Sequence, residues 1–325
     1  MPALSLPPDP PALVHRVAAA PCDAATRARL LAPPGPGEDS IALTCSLRLS
    51  RGDHVLKRIV LEGSAASGVT LACDGAAIGR PGEPARLDAF TIAIRSRPPA
   101  RPNEPWDRPA EIRISDCAVF GHIRIWGMGV NGQALPVRDS SRSLGHTERA
   151  QAAAPTGVTI TGTTITAAGP IPLYLGPGVT RVTLRDSAIT GRSVATAIYL
   201  DAESAENRIE NTDFTAETGR EAIAVDGSAR NRITGNRFAL GGQGGVRLYR
   251  NCGEGGTVRH QTPSDNVITG NRFRGSGLFQ AEPIVVNSRN GWRLSCGDDA
   301  GYPFGSSIDN SDGGTGNVVA PNTVE

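Results

Sequence analysis

One short phrase returns along the chain at nearly constant intervals. It reads NRIENTDF at 207–214, NRITGNRF at 231–238 and NVITGNRF at 266–273, with looser copies VTITGTTI at 158–165 and VTLRDSAI at 182–189. Its central aliphatics fall at 160, 184, 209, 233 and 268, so the steps are 24, 25, 24 and 35 residues. A period in this range is the mark of one supersecondary unit stacked on itself. The repeat therefore assigns every residue a coil and a face.

Each coil contains two recognisable strand segments. The phrase supplies one. The other follows eight to eleven residues later: Leu173-Tyr174-Leu175, Ile198-Tyr199-Leu200, Ile223-Ala224-Val225, Val246-Arg247-Leu248 and Ile284-Val285-Val286. Ile92-Ala93-Ile94 and Ile123-Arg124-Ile125 extend the series upstream, and residues 317–322 hint at a terminal coil. Side chains alternate along a strand, so the flanking aliphatics point inward and the centres point outward. Aromatics make up only 4% of the chain, against 39 glycines and 25 prolines. Thin layers of Ile, Val and Leu covered by their neighbours suit a solenoid better than a compact globule. The recurring Asn207, Asn231 and Asn266, and Asn211, Asn236 and Asn271, read as stacked amides that satisfy tight bends.

Parallel strands with no helix-sized segment between them make a β-helix. On this repeat the chain resembles the right-handed parallel β-helix proteins of the pectin-lyase-like superfamily. The resemblance covers about residues 41–325. It implies an all-β, single-stranded right-handed parallel β-helix with long loop insertions. Residues 1–40 form a Pro-rich N-terminal segment in which 23–31 (DAATRARLL) predict a short capping helix with Asp23 as N-cap. That superfamily contains polysaccharide lyases, glycosidases, epimerases, esterases and phage tail spikes, so fold alone leaves the activity open.

Loop lengths locate a cleft. Leu175 to Leu184, Leu200 to Ile209 and Val225 to Ile233 are short connections. Ile94 to Ile114, Ile125 to Ile160, Leu248 to Ile268 and Val286 to Val319 are long, at 20, 35, 20 and 33 residues. All four leave after the same strand. They predict walls at both ends of an exposed floor of three coils, a shape that suits an extended polymer. Of the six cysteines, Cys252 and Cys296 lie in the third and fourth insertions on neighbouring coils, and are expected to be disulfide-linked. Cys22, Cys45, Cys73 and Cys117 are left unpaired by sequence.

Two outward columns should floor the cleft: Arg124, Tyr174, Tyr199, Ala224, Arg247, Val285, and Trp126, Gly176, Asp201, Asp226, Tyr249, Asn287. Neighbouring strands lie ~4.8 Å apart, so Asp201 and Asp226 should be stacked carboxylates open to water. Like charges so placed call for a cation, a shared proton or a neutralising arginine. The first reading is a polysaccharide lyase acting on a uronate-containing polymer by β-elimination. Arg247 would pair with the sugar carboxylate, or Asp201, Asp226 and Glu203 would hold a Ca²⁺ in its place. The base would be Tyr249 or Arg250; the resemblance favours Arg250, since Lys57 is the only lysine, although no family-specific lyase motif is present. The alternative is a glycoside hydrolase with Asp201 and Asp226 as its carboxylate pair and no metal. A non-catalytic carbohydrate-binding or structural β-helix is the third.

Tyr199 joins Asp201, Asp226, Arg247, Tyr249 and Arg250 among the catalytic candidates; substrate contacts are expected from Arg124, Trp126, Tyr174, Glu203, Arg220, Glu254 and Asn287, and from Arg142, His146 and His260 in the insertions. Residues 138–149 read as a basic lid that includes Arg138 and Arg149. Asp298, Asp299, Asp309 and Asp312 make an acidic fourth loop whose spacing matches no EF-hand. A net charge of +1 argues against a nucleic-acid binder, and no apolar run is long enough to span a membrane. An even cysteine count fits an oxidising, periplasmic or extracellular location, with no signal peptide visible.

Overall fold

The computed structural model describes residues 18–82, 90–101, 104–275 and 281–325. Residues 1–17 of the Pro-rich N-terminal segment lie outside the described residues. Three parallel sheets of eight, ten and nine strands run the length of the coil among the described residues. The coil preceding the first short connection shows the order: Thr159–Thr161 in the first sheet, Thr164–Gly169 in the second, Leu173–Leu175 in the third.

The repeat phrase proves to be two strands, not one. Arg232–Thr234 and Arg237–Leu240 belong to different sheets, and the chain bends between them at Gly235, with φ +68°. That conformation disfavours most side chains. The equivalent bends use Gly162 and Gly270, or the tolerant Asp186 and Asn211. Both apolar members of the phrase then point inward. Ile209, Ile233 and Ile268 stack in one buried row. Phe214, Phe238 and Phe273 stack in another, with ring centroids 4.5 and 4.7 Å apart and nearly parallel planes.

The asparagines form two buried ladders. Side-chain amides link Asn207 to Asn231 (3.0 Å), Asn231 to Asn266 (2.8 Å) and Asn266 to Asn317 (3.0 Å). In each case the acceptor oxygen also takes the backbone N–H of the preceding coil. The second ladder is Asn236–Asn271–Asn322. Asn211 is not part of it: Asn211 occupies the exposed bend, and Thr212 lies in the ladder's row, its N–H bound to Asn236.

The capping helix spans Ala24–Leu31, with Thr26 N–H donating to Asp23 (2.7 Å) and Leu30 fully buried. Among the described residues, strands begin at Ser40. All six cysteines are paired: Cys22–Cys45, Cys73–Cys117 and Cys252–Cys296. No helix among the described residues is long and apolar enough to cross a membrane.

The second insertion is not a plain loop. It contains two short helices, Leu135–Ser141 and His146–Ala153. Arg149 closes the first of them by donating to the Ser140, Ser143 and Leu144 carbonyls. The expected open gap between walls is bridged as well. Thr257 of the third insertion donates to the Gly132 carbonyl (2.9 Å), and Val258 N–H donates to Ser141 Oγ (3.0 Å). Insertions from the two ends thus meet beside the short-turn coils.

Candidate functional site

The third sheet carries the first column in the expected register, together with one step of the second. Arg124, Tyr174, Tyr199, Ala224, Arg247 and Val285 are successive partners, and Asp226 pairs with Tyr249. Each tyrosine hydroxyl engages a carboxylate on an adjacent coil. Tyr174 donates to Asp201, Tyr199 to Asp226 (2.7 Å) and Tyr249 to Glu221 (3.0 Å).

The aspartates share one face, but they are not open to water. Asp201 is 3% exposed and Asp226 0%. The third insertion descends over them. Asn251 donates to Asp226 from its backbone N–H and its side-chain amide, both at 2.8 Å. The buried Arg259 guanidinium reaches Asp201 at 3.4 Å. Of the three ways to relieve stacked acids, the fold supplies the arginine. Burial raises the Asp201 pKa above the ordinary carboxylate value, Asp226 adds to that rise, and Arg259 opposes it. The three carboxylates expected to share Ca²⁺ are not brought together. Glu203 is turned aside to accept from Thr147 and from the His260 (2.8 Å) and Gln261 (3.2 Å) N–H groups. Among the described residues no group of three or more His, Cys, Asp or Glu side chains could hold a metal ion.

A cleft of about 810 Å³ opens beside this seam. Its floor is Tyr174, Tyr199 and Asp201, with Arg220 and Ile171 at one margin. Asn131 and Gln133 come from the second insertion, Asn251 and Glu254 from the third, and Arg289, Trp292, Arg293, Leu294 and Ser295 from the fourth. Glu254 is partly exposed and accepts from Asn251 (3.1 Å). Trp292 is 67% exposed. The Cys252–Cys296 bridge ties the third and fourth insertions together.

Tyr174, Tyr199, Asp201, Arg220 and Glu254 thus converge, and other residues expected at the site do not. Arg250 is buried, and its guanidinium donates to Asp309 (2.9 Å) and the Ser311 carbonyl. Tyr249 is enclosed between Glu221, Arg220 and the Arg289 guanidinium, 3.8 Å from its ring centre. Burial raises its pKa far from the range of a base at neutral pH. Arg247 turns to the opposite edge, where it donates to the Glu282 carbonyl (2.6 Å). Asp226 lies beneath the cleft without lining it. Trp126 is buried against Phe90 and Arg95, so it offers no sugar platform. Asn287 braces Gly314 through two hydrogen bonds. His146 and His260 face one another between the insertions at 5.3 Å, and Arg142 lies over Tyr302. The acidic fourth loop is spent internally: Asp309 takes Arg250, Asp312 takes the Arg250 and Arg289 N–H groups, and Asp299 takes Ser306.

Sequence reasoning missed Asn251, Arg259, Arg289 and Trp292. All four sit in insertions, where the repeat gives no register. The one available signal was the charge of the stacked aspartates, which demands a counter-ion.

The family model described as "Right handed beta helix region" matches residues 111–324. No curated protein matches the sequence significantly. Among solved structures, an alginate lyase from Paenibacillus sp. str. FPU-7 is similar at 14% identity, covering 76% of this chain and 90% of that one, with TM-score 0.44. Tailspike protein 2 of Escherichia coli O157:H7 bacteriophage CAB120 is similar at 12% identity and TM-score 0.42, over 74% of this chain and 29% of that one. A DFA-IIIase mutant from Arthrobacter chlorophenolicus A6 is similar at 14% identity and TM-score 0.31, over 93% and 78%.

Proposed function

The chain belongs to the right-handed β-helix family, and from that premise we propose that it is a carbohydrate-active enzyme. It cleaves the glycosidic links of an acidic polysaccharide lying in the cleft over the third sheet. The observation that carries this reading is one cleft lined by two carboxyl groups in unlike surroundings. Asp201 is buried with a raised pKa, and Glu254 is partly exposed on the facing insertion. Environments that separate two carboxyl groups are how acid and base roles are divided.

Asp201 delivers a proton to the leaving glycosidic oxygen. The anion left behind is already provided with donors: Tyr174 O–H, Ala202 N–H (2.8 Å) and Arg259. Glu254 takes the second role, activating water or attacking the anomeric carbon. Trp292 and Tyr199 offer faces for sugar rings. Arg220, Arg289 and Arg293 line the same cleft and favour an anionic chain. Six paired cysteines support a periplasmic or extracellular setting.

Hydrolysis fits this arrangement better than elimination. The arginines favour elimination, since they can neutralise a uronate carboxyl. Against it stands the state of the bases expected for it. Burial and Asp226 raise the Tyr199 pKa well above 10, and Arg250 is engaged elsewhere. The test is digestion of acidic and neutral polysaccharides, read as new reducing ends and as ultraviolet absorbance of unsaturated uronates. Hydrolysis gives ends without absorbance, abolished in Asp201→Asn. Elimination gives both. Tight glycan binding without turnover on every polymer would sink the enzymatic reading.

A further inference from the structure

A second pocket of about 220 Å³ opens at the corner between the second and third sheets. It shares Asn131, Ile171 and Tyr174 with the main cleft. Pro170, Ile171, Val194 and Ala195 give it an apolar side. His122 and Arg124 give it a polar one. His122 is 1% exposed, and neither of its ring nitrogens has a hydrogen-bond partner among the described residues. Buried polar groups are nearly always paired, and an orphan needs a reason. Arg124 is held in place by donating to the Val130 carbonyl (3.1 Å) and by stacking over Tyr174 at 4.8 Å.

We propose that this pocket is a subsite for one sugar ring, a side unit or chain end of the polymer in the main cleft, held through His122. The inference rests on the carbohydrate reading of that cleft. Its size supports a single ring, since the pocket is smaller than the ~300–1,000 Å³ of sites for drug-sized ligands. A neutral imidazole presents one N–H donor and one bare nitrogen acceptor. Two adjacent sugar hydroxyls, one accepting and one donating, complement that pair. Burial, and then the Arg124 charge, lower the His122 pKa to about 4, so the ring stays neutral at physiological pH. The same charge repels a protonated amino sugar. Neutral and acidic rings are therefore admitted, and amino sugars are refused. The apolar side packs against the C–H face of the ring.

The experiment is titration of the whole protein with galactose, galacturonate and glucosamine, followed by ¹⁵N signals of the histidine rings. Galactose and galacturonate should shift the His122 ring signals, and glucosamine should not. His122→Phe should weaken binding of the two ligands about tenfold, as expected when hydroxyls lose buried partners. Its melting temperature should not fall, because the substitution removes an unpaired polar ring. The readout is binding of monosaccharides, which carry no glycosidic link to cleave, so it does not depend on whether the protein cuts polymer. Failure of the cleavage reading and failure of this inference are thereby separable. The inference is overturned if no monosaccharide moves the His122 signals, if His122→Phe binds with unchanged affinity, or if glucosamine binds as well as galactose.

Discussion

Arg259→Met tests the physical core of the site. The guanidinium is buried, reaches Asp201 at 3.4 Å, and leaves its own Nε without a partner among the described residues. Breaking a buried ion pair costs ~3–5 kcal/mol. Methionine also removes the orphaned Nε, which returns ~1–3 kcal/mol. The net loss at pH 7 should be about 2 kcal/mol. It cannot greatly exceed about 4 kcal/mol, because an unpaired Asp201 can take up a proton at ~1.4 kcal/mol per pH unit above its unfolded pKa. The pH dependence has a definite sign. Asp201 has a raised folded pKa already, and losing Arg259 raises it further. The folded variant then binds a proton that the unfolded chain does not, so its stability falls as pH rises above the unfolded carboxylate pKa. Acidification from pH 7 to pH 5 should shrink the deficit relative to wild type. Asp201→Asn in the same background should recover most of it. Urea denaturation with the disulfides intact, followed by tryptophan fluorescence, measures all four members of the cycle. A single variant as stable as wild type, or a deficit that neither pH nor the second substitution relieves, refutes the assigned counter-ion.

Asn231→Ala removes the acceptor for Asn207 N–H and side-chain amide; at ~1–3 kcal/mol per orphaned buried donor, denaturation should report a loss of about 2–6 kcal/mol. Glu203→Ala frees the His260 and Gln261 N–H groups, so amide exchange at 260–261 should accelerate while the exchange of the Asn ladder stays slow. Removing the Cys252–Cys296 bridge by paired Ser substitutions opens a link of sequence separation 44, for which loop entropy predicts about 4 kcal/mol; activity should fall while the far-ultraviolet β signal persists. His122 and His146 have folded pKa values of about 4 and about 3, lowered chiefly by burial. The unfolded chain binds those protons first, so stability is full above pH 6.5 and declines below it, by about 2 kcal/mol per histidine at pH 5. His122→Phe should flatten that slope by the share of one histidine.

The coil was legible because its rules are periodic. Aliphatics recur at the coil period, so the register of Tyr174 on Tyr199 and of Asp226 on Tyr249 followed from counting. The phrase itself was misread as one strand because a single left-handed residue, Gly235 or Asn211, turns the chain without interrupting the apolar pattern. That misreading also shifted one asparagine row by a residue, placing Asn211 where Thr212 lies. The cleft's location was legible from loop lengths. What roofs it was not. Arg259, Asn251 and Trp292 sit in aperiodic insertions, so no count predicts where they land. The insertions cover Asp226 and most of Asp201, and that cover removed the solvent-open seam. Arg247, Arg250 and Asn287 were placed by column or neighbourhood, and their actual partners are carbonyls and acids of segments that have no repeat.

The helix of the second insertion and the descending strap of the third are fastened to a fixed number of short-turn coils. Gln151 reaches the Glu203 carbonyl, and Gln261 reaches those of Ser204 and Gly227. The span of the trough is therefore measured out in whole turns, each adding ~4.8 Å. Splicing in one more 24-residue turn would preserve both amide ladders yet pull these fasteners out of reach, so the scaffold acts as a ruler that fixes the length of the trough.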